Sequence, residues 1–221
     1  MKRLSCLLAL PIAALSLCTL SGCQLVGGAL ENVRRDSSHE VKAEYRGLEG
    51  KTFAVVIAAD RYIQSDHPLL VDYLTTKITD RLAQRTNTPV AGGYIPAVDV
   101  LRYLYDNPGW SSKPKAELAR GLGGVDRIIY IEITDCQLRE PGNQYEWDGV
   151  TSGTVAVLEI DTNLPEEYAF QKNISVAFPG KKGFGPDDLS QNAVATALAL
   201  RFVDRASWLM YDHQEMYYPE Y

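Results

Sequence analysis

The clearest pattern in the chain is an unbroken apolar run, Phe53-Ala54-Val55-Val56-Ile57-Ala58-Ala59, bounded by Lys51 and Asp60. It is apolar on both alternating faces and rich in valine, which predicts a central strand over residues 51–60 covered on both sides. The period then changes. Leu70, Leu74, Ile78 and Leu82 recur every four residues, with Thr75, Lys77, Asp80 and Gln84 away from that stripe, so a helix is expected. Ser65 or Asp66 suits its amino-terminal cap, and Pro68 its first turn. Residues 89–96 hold a short strand. Residues 97–107 read as a helix stopped by Asn107, Pro108 and Gly109, and residues 113–124 as a short helix closing in glycines.

Three strand patterns follow. Ile129, Ile131 and Ile133 share a face within 126–134. Ala156, Leu158 and Ile160 oppose Val155 and Val157 within 153–161. Ile174, Val176 and Phe178 alternate with Asn173, Ser175 and Ala177 within 170–178. The connectors carry Pro141-Gly142-Asn143 and Thr162-Asn163-Leu164-Pro165, which are turn residues, so an antiparallel meander is expected. A long helix begins at Asp187 or Asp188. It is apolar almost all round from Ala193 to Val203 and should pack deeply on the sheet. The fold class is α/β (α+β): a mixed sheet with element order β-α-β-α-α-β-β-β-α, in a single domain over residues 51–213.

The flanks differ. Residues 24–50 mix glycine, serine and charge without period and read as a tether. About 25 flexible residues of this kind span ~25–30 Å. Residues 214–221 form an aromatic tail. Tyr217, Tyr218 and Tyr221, with Tyr211, suit either an interaction arm or a frayed end.

The amino terminus follows the three-part plan of a secretory signal. Lys2 and Arg3 open it, an apolar run extends from Leu4 to Leu20, and small residues Ser21 and Gly22 precede Cys23. The competing reading is a membrane-spanning anchor, but the run contains Pro11 and is short for a span of ~20 residues. Leu20-Ser21-Gly22-Cys23 resembles the lipobox of bacterial lipoproteins. The resemblance implies removal of residues 1–22, a diacylglycerol on the Cys23 sulfur and a fatty acyl group, such as palmitate, on its new amino terminus. The mature chain would then begin with a lipidated tether over 23–50. Stable anchoring takes more than one acyl chain, which this modification would supply. In that group Asp after the cysteine often marks inner-membrane retention, so Gln24 points to the outer membrane.

Loss of the leader removes two basic residues and no acid. The balance moves from 22 basic against 28 acidic residues to 20 against 28, a net of −8. An acidic chain repels phosphate backbones and anionic head groups, so nucleic acid is excluded as a partner and membrane attachment falls to the lipid. Cys6 and Cys18 leave with the leader and Cys23 is capped, which leaves Cys136 without an intramolecular disulfide partner. A lone thiol suits an intermolecular bridge or a buried small hydrophobe.

No catalytic constellation is visible. His39, His67 and His213 include no i, i+4 pair, so no zinc site is indicated. Gly180–Gly185 lacks the Gly-Lys-Ser/Thr ending of a phosphate loop, there is no Gly-x-Ser-x-Gly elbow, and no cofactor motif appears. Glu132, Glu159 and Asp161 lie on or at the ends of expected strands, where they suit solvent faces or, if facing one another, acid–base work. Asp60 and Arg61 end the first strand, where open α/β sheets bind ligands. Trp147, between Glu146 and Asp148, suits a partner hot spot or an aromatic packed over the sheet edge. Asp60, Arg61, Trp147 and Asp148 are therefore the candidate contact residues.

The opening strand "FAVVIAAD", the step from Leu118-Ala119 through Gly124 and Asp126 into "RIIYIEI", and "EWDG" before the next strand are similar to a group of envelope proteins. That group includes the amino-terminal domain of TolB, the lipoprotein LpoB and the curli secretion lipoprotein CsgG. The overall texture also resembles uncharacterised planctomycete lipoproteins. The resemblance, over roughly residues 50–212, implies a domain that binds proteins and does not turn over a substrate. The chain lacks the pair of long amphipathic hairpins that a CsgG-like pore would need. The expectation is a lipid-anchored adaptor facing the periplasm with envelope-protein partners. A carboxylate-dependent glycan hydrolase and a subunit of a secretion assembly are the alternatives.

Overall fold

The computed structural model describes residues 38–84, 92–180 and 182–216. The leader, Cys23 and the tail tyrosines Tyr217, Tyr218 and Tyr221 lie outside the described residues. Two compact units are distinguished. Among described residues, the smaller holds Ser38–Val41 and residues 214–216, which belong to a two-stranded sheet of β1 (Ser38–Val41) and β7 (His213–Met216). It draws on segments that read from sequence as tether and tail.

The larger unit, Lys42–His213, carries a five-stranded sheet in the order β3-β2-β4-β5-β6. Its strands are β2 (Thr52–Ala59), β3 (Gly93–Tyr94), β4 (Arg127–Gln137), β5 (Gly149–Glu159) and β6 (Tyr168–Phe178). β2 runs parallel to both β3 and β4, and β4-β5-β6 is the expected antiparallel meander. The helices are α1 (Arg61–Asp66), α2 (Leu70–Ala83), α3 (Ala97–Asp106), α4 (Lys115–Gly121) and α5 (Gln191–Trp208), with a 3-10 turn at Trp110–Ser112.

The sheet separates two cores. On one face Phe53, Val55 and Ile57 of β2, Ile129, Ile131 and Ile133 of β4, and Val155 and Val157 of β5 pack against α2 and α5. On the other, Ala54, Val56, Ile128 and Leu158 meet Val100 and Leu104 of α3 and Leu118 and Ala119 of α4. Burial on both faces is what the apolar run 53–59 requires. The second core extends over β2, β4 and the Leu158 end of β5, where Ala156 is buried too. Beyond it the face is polar, where Ser152 of β5 meets Ser175 of β6 and Thr154 donates to Asn173, both at 2.8 Å.

Several boundaries differ from the sequence expectation, each for a local reason. Ser65 and Asp66 do not cap α2. They end a separate six-residue helix whose cap is Asp60, with Oδ1 accepting from Ile63 N at 2.8 Å. A single turn and a half is too short to show a period. The buried side of α2 is also wider than its leucine stripe, because Thr75 and Thr79 are buried too. Residues 42–50, read as the end of the tether, pack on the domain: Tyr45 and Leu48 are buried, and Tyr45 N and Glu44 N donate to Leu209 O. Asp212 fixes the same segment by accepting from Ala43 N at 2.8 Å and pairing with Arg46 at 2.9 Å. Tyr211, grouped by sequence with the tail tyrosines, is buried in the first core.

Candidate functional site

At the start of β4 the chain uses its charges internally. Arg127 is buried. Its Nε donates to Gly47 O at 3.0 Å, and its Nη1 donates to Asp126 O at 2.9 Å and to Asp161. Glu159, directly across on β5, lies 3.7 Å from Arg127 Nε and accepts from Tyr45 Oη at 2.8 Å. Lys51 pairs with Asp161 at 2.6 Å. Hydrogen bonds from Lys51 and then Arg127 hold the Asp161 carboxyl below the usual carboxylate range, against a desolvation cost. Burial, then the bond to Glu159, pushes the Tyr45 phenol well above its ordinary value. Glu159 and Asp161 are thus held by this network, and Glu132 stands exposed on the second face, paired across to Thr154. These three carboxylates do not converge on a shared cleft.

The other end of β4 is built differently. A β-bulge between Ile133 and Asp135 sets two residues of β4 against one of β5. Bulges re-aim the side chains that follow. Before this one the odd-numbered isoleucines face the first core; after it Cys136 and Leu138 pack against that core instead. Beyond it a cleft of about 480 Å³ opens. Tyr62 and Asp66 of α1 with His67 form one wall, Asp135 through Arg139 a second, and Trp147 and Gln191 complete it. The volume lies within the ~300–1,000 Å³ of small-ligand sites. The cleft sits beyond the carboxyl ends of the parallel strands β2 and β4, where such sheets bind ligands.

Trp147 organises this end. It is buried, and its indole Nε1 donates to Leu189 O at 2.8 Å and Gly185 O at 3.0 Å. Its backbone N donates to Phe184 O at 2.8 Å. The β4–β5 connection is thereby fastened to the loop that leads into α5. Asn143 shapes the connection by accepting from Tyr145 N and Glu146 N, and Asp188 shapes the opposing loop by accepting from Gly185 N. The Arg139 guanidinium lies over the Trp147 ring, 3.9 Å from its centroid. Arg139 Nε is buried without a hydrogen-bond partner, and no described carboxylate pairs with this arginine.

Of the four candidate contact residues, Trp147 alone lines this cleft. Asp60 is engaged as the α1 cap, and Arg61 and Asp148 are exposed outside the lining. Tyr62, Asp66, His67 and Arg139 were not legible as a group, because residues 62–67 and 135–147 meet only after the long connection closes. Cys136 lines the cleft half-buried. Burial pushes its thiol up, aided by the Asp135 charge, and the Thr151 hydroxyl, 3.6 Å from Sγ, opposes this. Among the described residues no cluster of His, Cys, Asp and Glu is placed to hold a metal ion, and no helix is long and apolar enough to cross a membrane.

No protein-family model and no curated protein matches the chain. Among solved structures it is similar to the PelC dodecamer from Paraburkholderia phytofirmans, at 12% identity and a TM-score of 0.42, covering 79% of this chain and 97% of that one. It is also similar to lipoprotein GNA1162 from Neisseria meningitidis, at 11% identity and a TM-score of 0.43, covering 70% of this chain and 97% of that one. These are distant likenesses to small domains that include lipoproteins.

Proposed function

We propose that this chain is a lipid-anchored envelope lipoprotein whose folded domain is a non-catalytic adaptor, held on the periplasmic side of the outer membrane. The anchor rests on Leu20-Ser21-Gly22-Cys23 behind a charged and apolar leader. The binding role rests on one observation: Arg139 lies over Trp147 in an open cleft and, among the described residues, forms an ion pair with neither Asp66 nor Asp135 of the lining nor any other carboxylate. A guanidinium placed over an indole face keeps hydrogen-bond donors with which it can take a carboxylate, in the best case through two parallel bonds. The ligand class that fits is an acidic side chain or a carboxyl terminus of an envelope protein, gripped beside the aromatic Tyr62. Acyl chains on Cys23 would confine the domain to a layer and raise its effective concentration against such a partner.

The anchor is tested by metabolic labelling with a palmitate analogue. Label on the wild type and none on Cys23→Ser is expected, and an unlabelled wild type removes the lipoprotein reading. The cleft is tested by crosslinking in cells and recovery from solubilised envelopes. The partner recovered with wild type should be lost with Arg139→Gln, while Arg61→Gln retains it. Equal recovery with all three proteins removes the cleft from the binding role.

A further inference from the structure

The two edges of the five-stranded sheet are unequal. β3 closes one side with two residues, and β6 closes the other with eleven. Among the described residues no strand pairs with the outer edge of β6. Such an edge offers a row of backbone donors and acceptors, and proteins ordinarily blunt it with charges, proline or bulges. β6 has no proline and one charge, Lys172, whose ammonium is held by Glu44 of the same chain. Its irregularity lies at the start, where the register passes from Tyr168 to Phe170. Near its end the Ala177 carbonyl is covered by Arg201 Nη1 at 2.5 Å. What remains between these points is the regular stretch Phe170–Val176, centred on Asn173.

That stretch is in part its own mirror image. About Asn173, Gln171 reflects onto Ser175 and Phe170 onto Val176, both like pairs, while Lys172 reflects onto Ile174. We infer that β6 pairs antiparallel with β6 of a second copy, across a two-fold axis at Asn173, to make one continuous ten-stranded sheet. Directly opposed residues in an antiparallel pair share a face of the sheet. In this register Phe170 meets Val176 and Lys172 meets Ile174 on the face packed by α5, the Lys172 ammonium staying with Glu44, while Gln171, Ser175 and the two Asn173 meet on the polar face. The two copies therefore continue each other's core and solvent faces. A two-fold centred on Lys172 would set like charges opposite one another, which is unfavourable. One centred on Ile174 would oppose Gln171 to Ala177, whose carbonyl Arg201 already covers. Because each copy has a single long edge, pairing closes at two and does not propagate.

The test uses the full chain in its native membranes with Cys136→Ser as background and a short bifunctional thiol crosslinker. Asn173→Cys should yield a dimer. Differently tagged Gln171→Cys and Ser175→Cys copies, expressed together, should link to each other severalfold more than either links to itself. Thr154→Cys, on the inner strand β5, should stay monomeric. An unlinked Asn173→Cys chain, or Gln171→Cys linking to itself as readily as to Ser175→Cys, overturns the pairing. A second measurement does not depend on cysteines. In detergent, Asn173→Lys should bring the protein from twice the chain mass to once, with its circular dichroism unchanged, and mixing it with Asn173→Glu should restore the larger mass. A wild type of single-chain mass at every concentration, with β6 instead captured by an extended segment of another protein, also overturns it.

Discussion

Replacing Trp147 by phenylalanine asks whether the indole N–H, and not merely the ring, holds the cleft end together. The substitution keeps an aromatic in the buried site and removes the donor that serves Leu189 O at 2.8 Å and Gly185 O at 3.0 Å. A net hydrogen bond contributes about 0.5–1.5 kcal/mol, and a buried acceptor left without a donor costs about 1–3 kcal/mol. The smaller ring also weakens a guanidinium contact that contributes about 0.5–1 kcal/mol. Because one N–H is shared between two acceptors, these contributions overlap, and about 2 kcal/mol is expected in total. For a domain of this size each kcal/mol moves the melting midpoint by ~2–4 °C, so a fall of about 4–8 °C should follow. Trp147→Ala, which also opens a cavity, should cost about 3–5 kcal/mol. The assay is urea unfolding followed by circular dichroism, with limited proteolysis of the loop 182–190. A Trp147→Phe protein with the wild-type urea midpoint and unchanged cleavage there would refute the account.

The central strands of the five-stranded sheet were legible because their pattern is strong at short range, whereas β1 and β7 were read as tether and tail. Phe53–Ile57 is apolar at every position and is buried on both faces, and Ile129, Ile131 and Ile133 alternate and share the first core. Local sequence does not show what depends on distant contacts. Tyr45 and Leu48 sit in a stretch that is polar and irregular on its own, and they are buried only because Asp212 and Leu209 hold that stretch to the domain. β4 runs on to Gln137 through polar residues that period alone would leave out, because β5 supplies their ladder. Asp60 shows a further limit. A charged residue at a strand end reads as a ligand contact, and the six-residue helix behind it, too short to show a period, hides its use as a cap.

Arg127→Met should destabilise the domain by about 2–3 kcal/mol in urea, somewhat below the fully buried range because Glu159 and Asp161 reach solvent. Lys51→Met, at an exposed pair, should cost under about 1 kcal/mol, and equal losses for the two would contradict the network described. The Asp161 carboxyl is depressed in the folded state, so its contribution is present above the unfolded value of ~3.9 and is lost as pH falls through the folded one. Asp161→Asn should therefore shallow the acid limb of a stability–pH curve. The Tyr45 phenol is raised, so its contribution is intact below the unfolded value of ~10 and is lost as pH rises beyond it. Tyr45→Phe should flatten the alkaline limb in the same experiment. Cys136, its thiol raised by burial, should react with a maleimide at pH 8 more slowly than a free small thiol and recover the free rate in urea; equal rates in both conditions would contradict that burial.

The two ends of β4 differ in how their charges are used, and the end proposed to bind a partner is the one less ordered in charge. Arg127 opens the strand and Arg139 lies just past its end, so the same side chain stands at either end of β4 in opposite circumstances. Arg127 has Asp161 and Glu159 within reach and a backbone carbonyl on either side, so its donors are satisfied at home. Its removal is a stability event, because a buried arrangement of this kind fails when one member is withdrawn. Arg139 has an indole face and, among the described residues, no carboxylate, with a buried Nε that nothing accepts. A guanidinium left so costs free energy unless something arrives to take its donors. The indole supplies orientation without consuming those donors, since contact with a ring face leaves the in-plane N–H groups available. An arrangement that fixes a cation in place and leaves its hydrogen bonds open is stable enough to persist, and on the proposed reading an acid from another molecule would complete it. Arg139→Gln gives up a ring contact of about 0.5–1 kcal/mol but also relieves a buried donor without an acceptor, so the unfolding free energy in urea should stay within about 1 kcal/mol of wild type. A large loss of stability would mean that Arg139, like its counterpart at the other end of the strand, serves the fold and not a partner.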